Sequence, residues 1–168
     1  MTAKEVIALL GLKPLEPEGG FFKETYRGKL DPAGGRAVST AIYYLLTQRT
    51  SSAIHRLSSD EIYHFYLGSP VEMLMLRSNG TGEQITLGSD LASGERPQLV
   101  VPAGVWQGAR LIGRGEFALL GTTVAPGFEF SDYEPGETES LVRDFPAMAA
   151  NIRRLSRRPL PLIDKKSV

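Results

Sequence analysis

Eight short apolar segments at fairly even spacing are the feature that most restricts the fold of this chain. They lie at residues 37–48, 54–56, 62–67, 71–77, 84–87, 99–101, 106–109 and 117–124. Most are rich in β-branched or aromatic residues, and turns containing Gly or Pro lie between them. This pattern predicts β-strands that build a sandwich or barrel. An aromatic segment at 21–27 predicts one more strand, and Asn79-Gly80 predicts a two-residue hairpin turn between strands 71–77 and 84–87.

Both ends of the chain predict helices. Thr2 and Glu5 form a capping box, an apolar stripe follows it, and Gly11 is placed to end the helix. Between residues 141 and 155, apolar side chains recur at helical spacing and predict a C-terminal helix. We therefore expect one domain over residues 1–155, with a tail at 156–168 that carries part of a basic cluster.

Composition narrows the chemistry available to the protein. The 168 residues include no cysteine, which excludes a disulfide framework, thiolate metal sites, iron–sulfur clusters and a Cys nucleophile. The 19 basic residues balance the 19 acidic ones, so no global field attracts nucleic acid or an anionic membrane. The sequence shows neither a membrane-spanning run nor a secretory signal. We expect a cytoplasmic protein whose partner is a small-molecule ligand.

The alternation of side chains along the strand at 62–67 separates two sets of residues. Glu61 and Tyr63 share one face, which Phe65 and Leu67 continue, and we expect this face to point into the barrel. His64 points the other way, where a structural or interface role fits it better than a role in ligand binding.

Residues 54–68 contain both histidines of the chain, and they resemble the first motif of the cupin superfamily of small β-barrels. That motif has two histidines one residue apart, a Glu a few residues later, and a Gly seven residues after the Glu. His55, Leu57, Glu61 and Gly68 stand at these positions. Leu57 therefore replaces one usual metal ligand.

A second segment, residues 101–107, resembles the second cupin motif, P-x-G-x-x-H. Pro102 and Gly104 match it, whereas Gln107 stands at the position of the histidine. Together with residues 17–27 and 59–64, this segment is similar to one compact branch, cupin family five, over roughly residues 4–145. The resemblance implies an all-β, jelly-roll-like cupin barrel (a double-stranded β-helix) with short terminal helices, and a homodimer. It assigns no catalytic residue.

A polar cluster inside the barrel is the expected site. We expect His55, Glu61 and Gln107 to form its floor, with Tyr63 and Trp106 as neighbours. The hypothesis is that the protein binds, and isomerises or epimerises, a small polar organic molecule such as a sugar derivative. His55, Glu61 and Tyr63 would then be catalytic, and Gln107 and Trp106 would bind substrate.

Two alternatives stay open, and the sequence does not decide whether the protein is an enzyme. One is a ligand-binding or sensor module that makes no bond, since a His beside a Glu in one sheet is more often a structural pair than a catalytic one. The other is an enzyme with a divalent metal ion on His55, Glu61 and Gln107. The replacement of two imidazoles weakens such a site, so a cluster that binds ligand directly is favoured and no cofactor is firmly expected.

Overall fold

The computed structural model describes residues 1–32 and 34–156, which contain eleven strands. In chain order these are β1 (Lys13–Pro14), β2 (Phe21–Arg27), β3 (Thr40–Thr47), β4 (Ser51–Arg56), β5 (Asp60–Gly68), β6 (Val71–Leu76), β7 (Gly82–Leu87), β8 (Gln98–Val101), β9 (Trp106–Leu111), β10 (Phe117–Ala125) and β11 (Glu134–Pro135). Each of the nine predicted strands is present. Only the two-residue strands β1 and β11 were not predicted, because segments that short carry no periodicity.

The strands form two antiparallel sheets. One has the order β1-β2-β3-β10-β5-β8, and the other has the order β11-β4-β9-β6-β7. Buried side chains from both sheets meet in one apolar cluster, which includes Tyr44, Tyr63, Met73, Ala109 and Leu120. The protein is therefore a two-layer, all-β structure with its main core between the sheets, as the sequence predicts.

Helices cover the outer faces of both sheets. Helix α1 (Ala3–Leu10) begins at the predicted capping box on Thr2 and ends at Gly11, which has a φ of 63°. The left-handed conformation at Gly11 is one that glycine adopts without steric cost. Helix α1 packs on the first sheet, and the C-terminal helices pack on the second.

The prediction of a single C-terminal helix is wrong in one respect, because the segment forms two helices. These are α2 (Thr138–Asp144) and α3 (Ala149–Leu155), with a 3-10 turn at Pro146–Met148 between them. Pro146 has no N–H to donate and disfavours helical dihedral angles at the residue before it. Phe145 accordingly has a φ of −130° and a ψ of 61°. The helical spacing of apolar residues continues across both helices because each buries its apolar side against β4, β6 and β9.

The hairpin between β6 and β7 confirms the predicted pairing but not the predicted turn. Gly80 has a φ of 83°, whereas Asn79 has no positive φ. The Gly80 N–H donates to the Arg77 carbonyl at 2.9 Å, and Arg77 N donates to the Thr81 carbonyl at 2.8 Å. The loop therefore has three residues and ends in a left-handed glycine.

A bulge between β5 and β10 corrects the predicted inward face of β5. Leu119 pairs with Leu67, but Leu120 pairs with Phe65, so the alternation of β5 changes phase. Phe65 packs partly against the core, and Leu67 is 44% exposed rather than inward. Just beyond it, Gly68 has a φ of 105°, and a Cβ there would lie 2.3 Å from the Phe117 carbonyl oxygen.

The chain after β10 crosses from the first sheet to the second, over one end of the core. We call residues 126–133 the mouth loop. The predicted tail at 156–168 lies outside the described residues except for Ser156. Within residues 1–32 and 34–156, no helix is both long enough and apolar enough to cross a membrane.

Candidate functional site

Three predicted polar residues come together between the sheets. His55 on β4 lies directly opposite Gln107 on β9, because these two residues are partners in the strand register of the second sheet. Glu61 reaches the same place from β5 of the first sheet. All three are nearly inaccessible to solvent, at 1%, 2% and 6% exposure for His55, Gln107 and Glu61. The cluster therefore joins the two sheets through polar contacts in an otherwise apolar interior.

Hydrogen bonds fix the roles of the nitrogen atoms in this cluster. His55 Nδ1 lies 2.8 Å from the Ala53 carbonyl oxygen, which can only accept, so Nδ1 carries a proton and donates. Gln107 Nε2 donates to Glu61 Oε2 at 2.7 Å and lies 3.4 Å from His55 Nε2. The opposite amide orientation would place two oxygens 2.7 Å apart and would require a proton on Glu61 Oε2. His55 Nε2 is therefore the acceptor atom of the imidazole.

One atom of the cluster has no hydrogen-bond partner. Gln107 Oε1 is buried and unpaired in the described part of the chain. Buried polar atoms are nearly always paired, and an unpaired acceptor costs roughly 1–3 kcal/mol. Such a cost at the centre of a core is typical of a functional cluster rather than of packing alone.

Burial raises the pKa of Glu61 above its ordinary value, and the negative charge of Glu18 raises it further. His55 and the hydrogen bonds from Gln107 and Thr122 act in the opposite direction. Because the removal of the carboxylate from water is the largest of these effects, Glu61 holds its proton to higher pH than an exposed glutamate does.

Glu18 belongs to the site, although the sequence analysis did not select it. It lies in the loop between β1 and β2, where its carbonyl accepts from Ala53 N at 2.8 Å. Its Oε1 accepts from Ser52 Oγ at 2.7 Å, and its Oε2 lies 4.0 Å from His55 Nε2. Gly19 and Gly20 follow with φ values of 108° and 74°, and this path turns Glu18 toward the core. In the sequence, the Glu-Gly-Gly run at residues 18–20 was the feature that could have indicated this position of Glu18.

Tyr133 is a second residue of the site that the sequence did not single out. The mouth loop stacks its ring on His55, with ring centroids 5.0 Å apart and an interplanar angle of 22°. Burial raises the pKa of Tyr133 to about 12, with a smaller contribution from Glu18. The hydroxyl is therefore neutral over the physiological range. Tyr133 was missed because no local sequence pattern indicates a contact with His55, which lies far away in the chain.

His55 and Glu61 of the cluster lie at the deep end of a cavity of about 100 Å³ between the sheets, whereas Gln107 holds both of them from behind and does not line the cavity. Its titratable lining residues are Glu18, Glu24, Arg27, His55, Glu61 and Glu129. Its apolar lining residues include Leu15, Phe22, Ile42, Leu57, Val124 and Phe128. The side chains of Glu24, Arg27 and Glu129 are 39–51% exposed, so they mark the open end.

The mouth loop is fastened over this open end at several points. Arg27 binds Glu129 at 2.8 Å, Phe128 N donates to Thr40 Oγ1 at 3.0 Å, and Arg36 forms an ion pair with Asp132. Asp132 Oδ1 also accepts from Ser58 Oγ at 2.8 Å. These contacts hold two lining residues of the cavity and Tyr133 in position.

Tyr63 lies close to Glu61 but does not line the cavity. It is 1% exposed, and burial raises its pKa well above the ordinary value, with a further contribution from Glu61. The Tyr63 hydroxyl therefore lies near the Glu61 carboxyl group in the buried core. The predicted catalytic role of Tyr63 stays a prediction, and from this position the hydroxyl would act on Glu61 rather than on a molecule in the cavity.

Trp106 does not line this cavity, which corrects the expectation that it neighbours the polar cluster. It precedes Gln107 on β9, and adjacent residues of a strand point to opposite faces. Trp106 packs against the cluster beneath the C-terminal helices, and the guanidinium of Arg56 lies 4.5 Å from its ring centroid. His64 is also away from the cavity, where its ring contacts Thr123 and Gln98 on the outer face of the first sheet.

The predicted metal ligands do not fit a metal ion as they are arranged. Gln107 Nε2 donates to Glu61 and lies 3.4 Å from His55 Nε2, and buried Leu57 lines the cavity at the position of the missing imidazole. Among residues 1–32 and 34–156, no three His, Cys, Asp or Glu side chains are grouped to hold a metal. In this arrangement the three side chains form a hydrogen-bonded cluster.

Comparison with known proteins identifies the family. The family model described as Cupin_5, cupin superfamily (DUF985), matches residues 4–135. A solved structure of protein SO0799 from Shewanella oneidensis superposes with a TM-score of 0.86 and 36% identity, over 94% of this chain and 98% of that one. Both findings agree with the resemblance seen in the two sequence motifs.

Two further proteins extend the comparison. The uncharacterized protein YML079W of Saccharomyces cerevisiae is 31% identical over 158 residues, which cover 83% of this chain and 79% of the relative. A dTDP sugar isomerase from Desulfovibrio desulfuricans G20 has a TM-score of 0.52 at 18% identity, over 75% of this chain and 79% of that one. At this identity the likeness shows the cupin fold alone.

Proposed function

The chain belongs to the Cupin_5 family of the cupin superfamily, and from this premise we propose that it binds a small polar organic molecule between its sheets and moves a proton on it. Isomerases and epimerases carry out this class of reaction. The dTDP sugar isomerase is similar in fold alone, so its activity does not carry over to this chain. The proposal therefore rests on the chemistry of the cavity.

The observation that carries the proposal is that an acceptor nitrogen and a buried carboxyl group with a raised pKa line one cavity. His55 Nε2 is the acceptor, since Nδ1 donates to the Ala53 carbonyl. Glu61 has a raised pKa because it is buried. A base and an acid whose environments differ in this way are the parts of general acid–base catalysis.

A balanced reaction can be written with these two groups. His55 takes a proton from a carbon next to a carbonyl, and the electron pair moves into the new carbon–carbon double bond while Glu61 gives its proton to the carbonyl oxygen. The reverse transfers return a proton to carbon and restore both groups. Return of the His55 proton after the enol has turned over in the cavity gives an epimer. Return to the former carbonyl carbon of a hydroxycarbonyl, with Glu61 taking the proton of the other hydroxyl, gives an isomer. Tyr133, stacked on His55, keeps the imidazole plane fixed during these transfers.

A second function, binding without catalysis, is favoured by the contacts of Gln107. Its amide donates to Glu61 and faces His55 Nε2, so one side chain engages both the acid and the base. In a binding module this arrangement would fix three polar groups for ligand recognition. The two functions differ in what they require of His55, because a catalyst needs its basic nitrogen and a binder needs only a hydrogen-bonding group.

Deuterium exchange tests the proposal. The purified protein is incubated in D₂O with a panel of small α-hydroxy and α-amino carbonyl compounds, and deuterium in each compound is followed by mass spectrometry. The wild-type protein should label at least one compound at carbon, and His55→Ala and His55→Gln should lose at least about 10²-fold in rate. Exchange by His55→Ala at the wild-type rate would show that His55 is not the base.

The control is a variant of the other histidine. His64→Gln changes a side chain on the outer face of the first sheet and should label the same compound at the wild-type rate. A wild-type protein that binds a compound of the panel without labelling it would favour the binding module.

A further inference from the structure

We propose that the cavity selects a small organic cation that carries N–H donors, such as a primary amine or an amidine, over an anion of the same size. This inference rests on the proposed binding function and names the class of ligand. Three features of the cavity support it: its charge, the direction of its hydrogen-bonding groups, and its apolar walls.

The lining of the cavity is strongly acidic. Four of its residues are carboxylic acids, namely Glu18, Glu24, Glu61 and Glu129, and Arg27 is the single Lys or Arg among the described lining residues. With a neutral imidazole the formal charge is −3, and it is −2 when Glu61 holds its proton. A ligand with a negative charge would be repelled in either state, and the low polarity of the interior strengthens the repulsion.

Arg27 does not offer an anion a free binding group. Its guanidinium donates to both carboxylate oxygens of Glu24, at 3.1 and 2.8 Å, and to Glu129 at 2.8 Å. It also donates to the Phe128 carbonyl at 3.3 Å. An anionic ligand would have to break these charged hydrogen bonds before it could use Arg27.

The deep end of the cavity presents acceptors rather than donors. Glu18 Oε2 and His55 Nε2 lie 4.0 Å apart, and the donor nitrogen of the imidazole is already bound to the Ala53 carbonyl. A nitrogen with two or more N–H groups can donate to both atoms at once. An ammonium or amidinium group would also form a charge-assisted hydrogen bond with the Glu18 carboxylate. Such a bond is about twice as strong as a hydrogen bond between neutral groups.

The walls nearer the open end suit an apolar body on the ligand. Phe22, Ile42 and Phe128 line this region, and Phe130 packs edge-to-face on Phe128 with ring centroids 5.3 Å apart. Aromatic rings attract cations as well as apolar groups. A small amine with an apolar body therefore complements both ends of the cavity.

Three probes with the same ring test the proposal: benzylamine, benzyl alcohol and benzoate. Each is titrated into the full chain near neutral pH, and binding is followed by the backbone amide NMR signals of the cavity residues. Benzylamine should bind at least about tenfold more tightly than benzoate. Glu18→Gln, which removes one charge and keeps the shape, should weaken benzylamine at least about tenfold and leave benzyl alcohol nearly unchanged.

The matched control is Glu83→Gln, which removes a half-exposed carboxylate on β7 that is paired with Arg77. It should leave the binding of all three probes unchanged. The affinities of the amine, the alcohol and the carboxylate are compared on the wild-type protein, so this part of the test does not depend on whether Glu18→Gln folds.

The outcomes separate this inference from the proposed function. Binding of benzoate at the cavity residues as tightly as benzylamine would overturn the selection of cations and leave the binding function in place. Benzylamine binding that is unchanged in Glu18→Gln would also overturn it. If none of the probes shifts the cavity signals, both the inference and the proposed binding site fall.

Discussion

Replacement of Glu61 by glutamine should stabilise the protein above about pH 5, and the gain should grow with pH. Glu61 is a carboxyl group that burial and the nearby charge of Glu18 make difficult to ionise. Its folded-state pKa therefore lies above its unfolded value, which is close to 4.5. Below the unfolded pKa the group is protonated in both states, and its contribution to stability is fully present. As pH rises through the folded pKa, that contribution is lost, because the unfolded state releases the proton more easily.

The size of the effect follows from proton linkage. One titrating group changes the free energy of unfolding by at most about 1.4 kcal/mol per pH unit. The amide of the Glu61→Gln variant is neutral at every pH, and its oxygen can still accept from Gln107. Near pH 8 we expect the variant to be more stable than the wild type, and near pH 4 the two should be close. For a domain of this size, about 1 kcal/mol corresponds to roughly 2–4 °C in melting temperature.

Urea unfolding at several pH values measures the difference. Trp106 is the single tryptophan of the chain and packs beneath the C-terminal helices, so its fluorescence reports loss of tertiary structure. Glu83→Gln is the control for loss of an exposed carboxylate and should show no such growth with pH. A Glu61→Gln protein that is less stable than the wild type at every pH, or a difference that does not depend on pH, would refute the reasoning. Either result would mean that His55 and the hydrogen bonds from Gln107 and Thr122 stabilise the ionised carboxylate enough to offset its burial.

Four further predictions concern the frame around the site. Gly68→Ala should cost at least about 2 kcal/mol of stability, because alanine is strained at the positive φ and its Cβ would meet the Phe117 carbonyl; urea unfolding measures this, and a loss within about 0.5 kcal/mol would contradict it. Asp132→Asn should cost about 1–3 kcal/mol and raise hydrogen exchange in residues 126–133, since Asp132 pairs with Arg36 and Ser58; unchanged exchange would show that the mouth loop is held elsewhere. Tyr133→Leu should weaken benzylamine binding by about 0.5–1.5 kcal/mol in an NMR titration, because His55 loses its stacking partner; equal affinity would argue against a positioning role. We propose a homodimer, since residues 23–27 of β2 lie beyond the two positions that β1 covers and leave a strand edge for a second copy; light scattering on a sizing column should give the mass of two chains, and a monomer would contradict it.

The strands and most of the polar cluster were predictable because both depend on local patterns. Alternating apolar residues and Gly-rich turns placed all nine longer strands. The cupin-like spacing of His55, Glu61 and Gln107 identified three residues that the fold brings together across two sheets. The glycine of the first motif is also explained physically, because the Phe117 carbonyl lies too close to Gly68 for a Cβ atom.

The errors and omissions have identifiable physical causes. Trp106 was misplaced because the alternation used for β5 was not applied to β9, where a residue adjacent to Gln107 must point outward. Leu67 was misplaced because a bulge changes the phase of a strand, and no simple pattern of apolar residues marks it. Glu18 and Tyr133 lie in loops, whose path depends on contacts with distant strands.

The most direct test of the account is native mass spectrometry of the protein after incubation with the small-molecule fraction of a cell extract, with elemental analysis of the same sample. We predict an organic adduct of fixed mass on the wild type and on Glu83→Gln. The adduct should be absent from His55→Ala and reduced at least about tenfold in Glu18→Gln. The same adduct on all four proteins, or none on any, would contradict a ligand site at the Glu18, His55 and Glu61 cluster. A near-stoichiometric divalent metal that His55→Ala loses would contradict the direct hydrogen-bonding site and replace it with a metal centre.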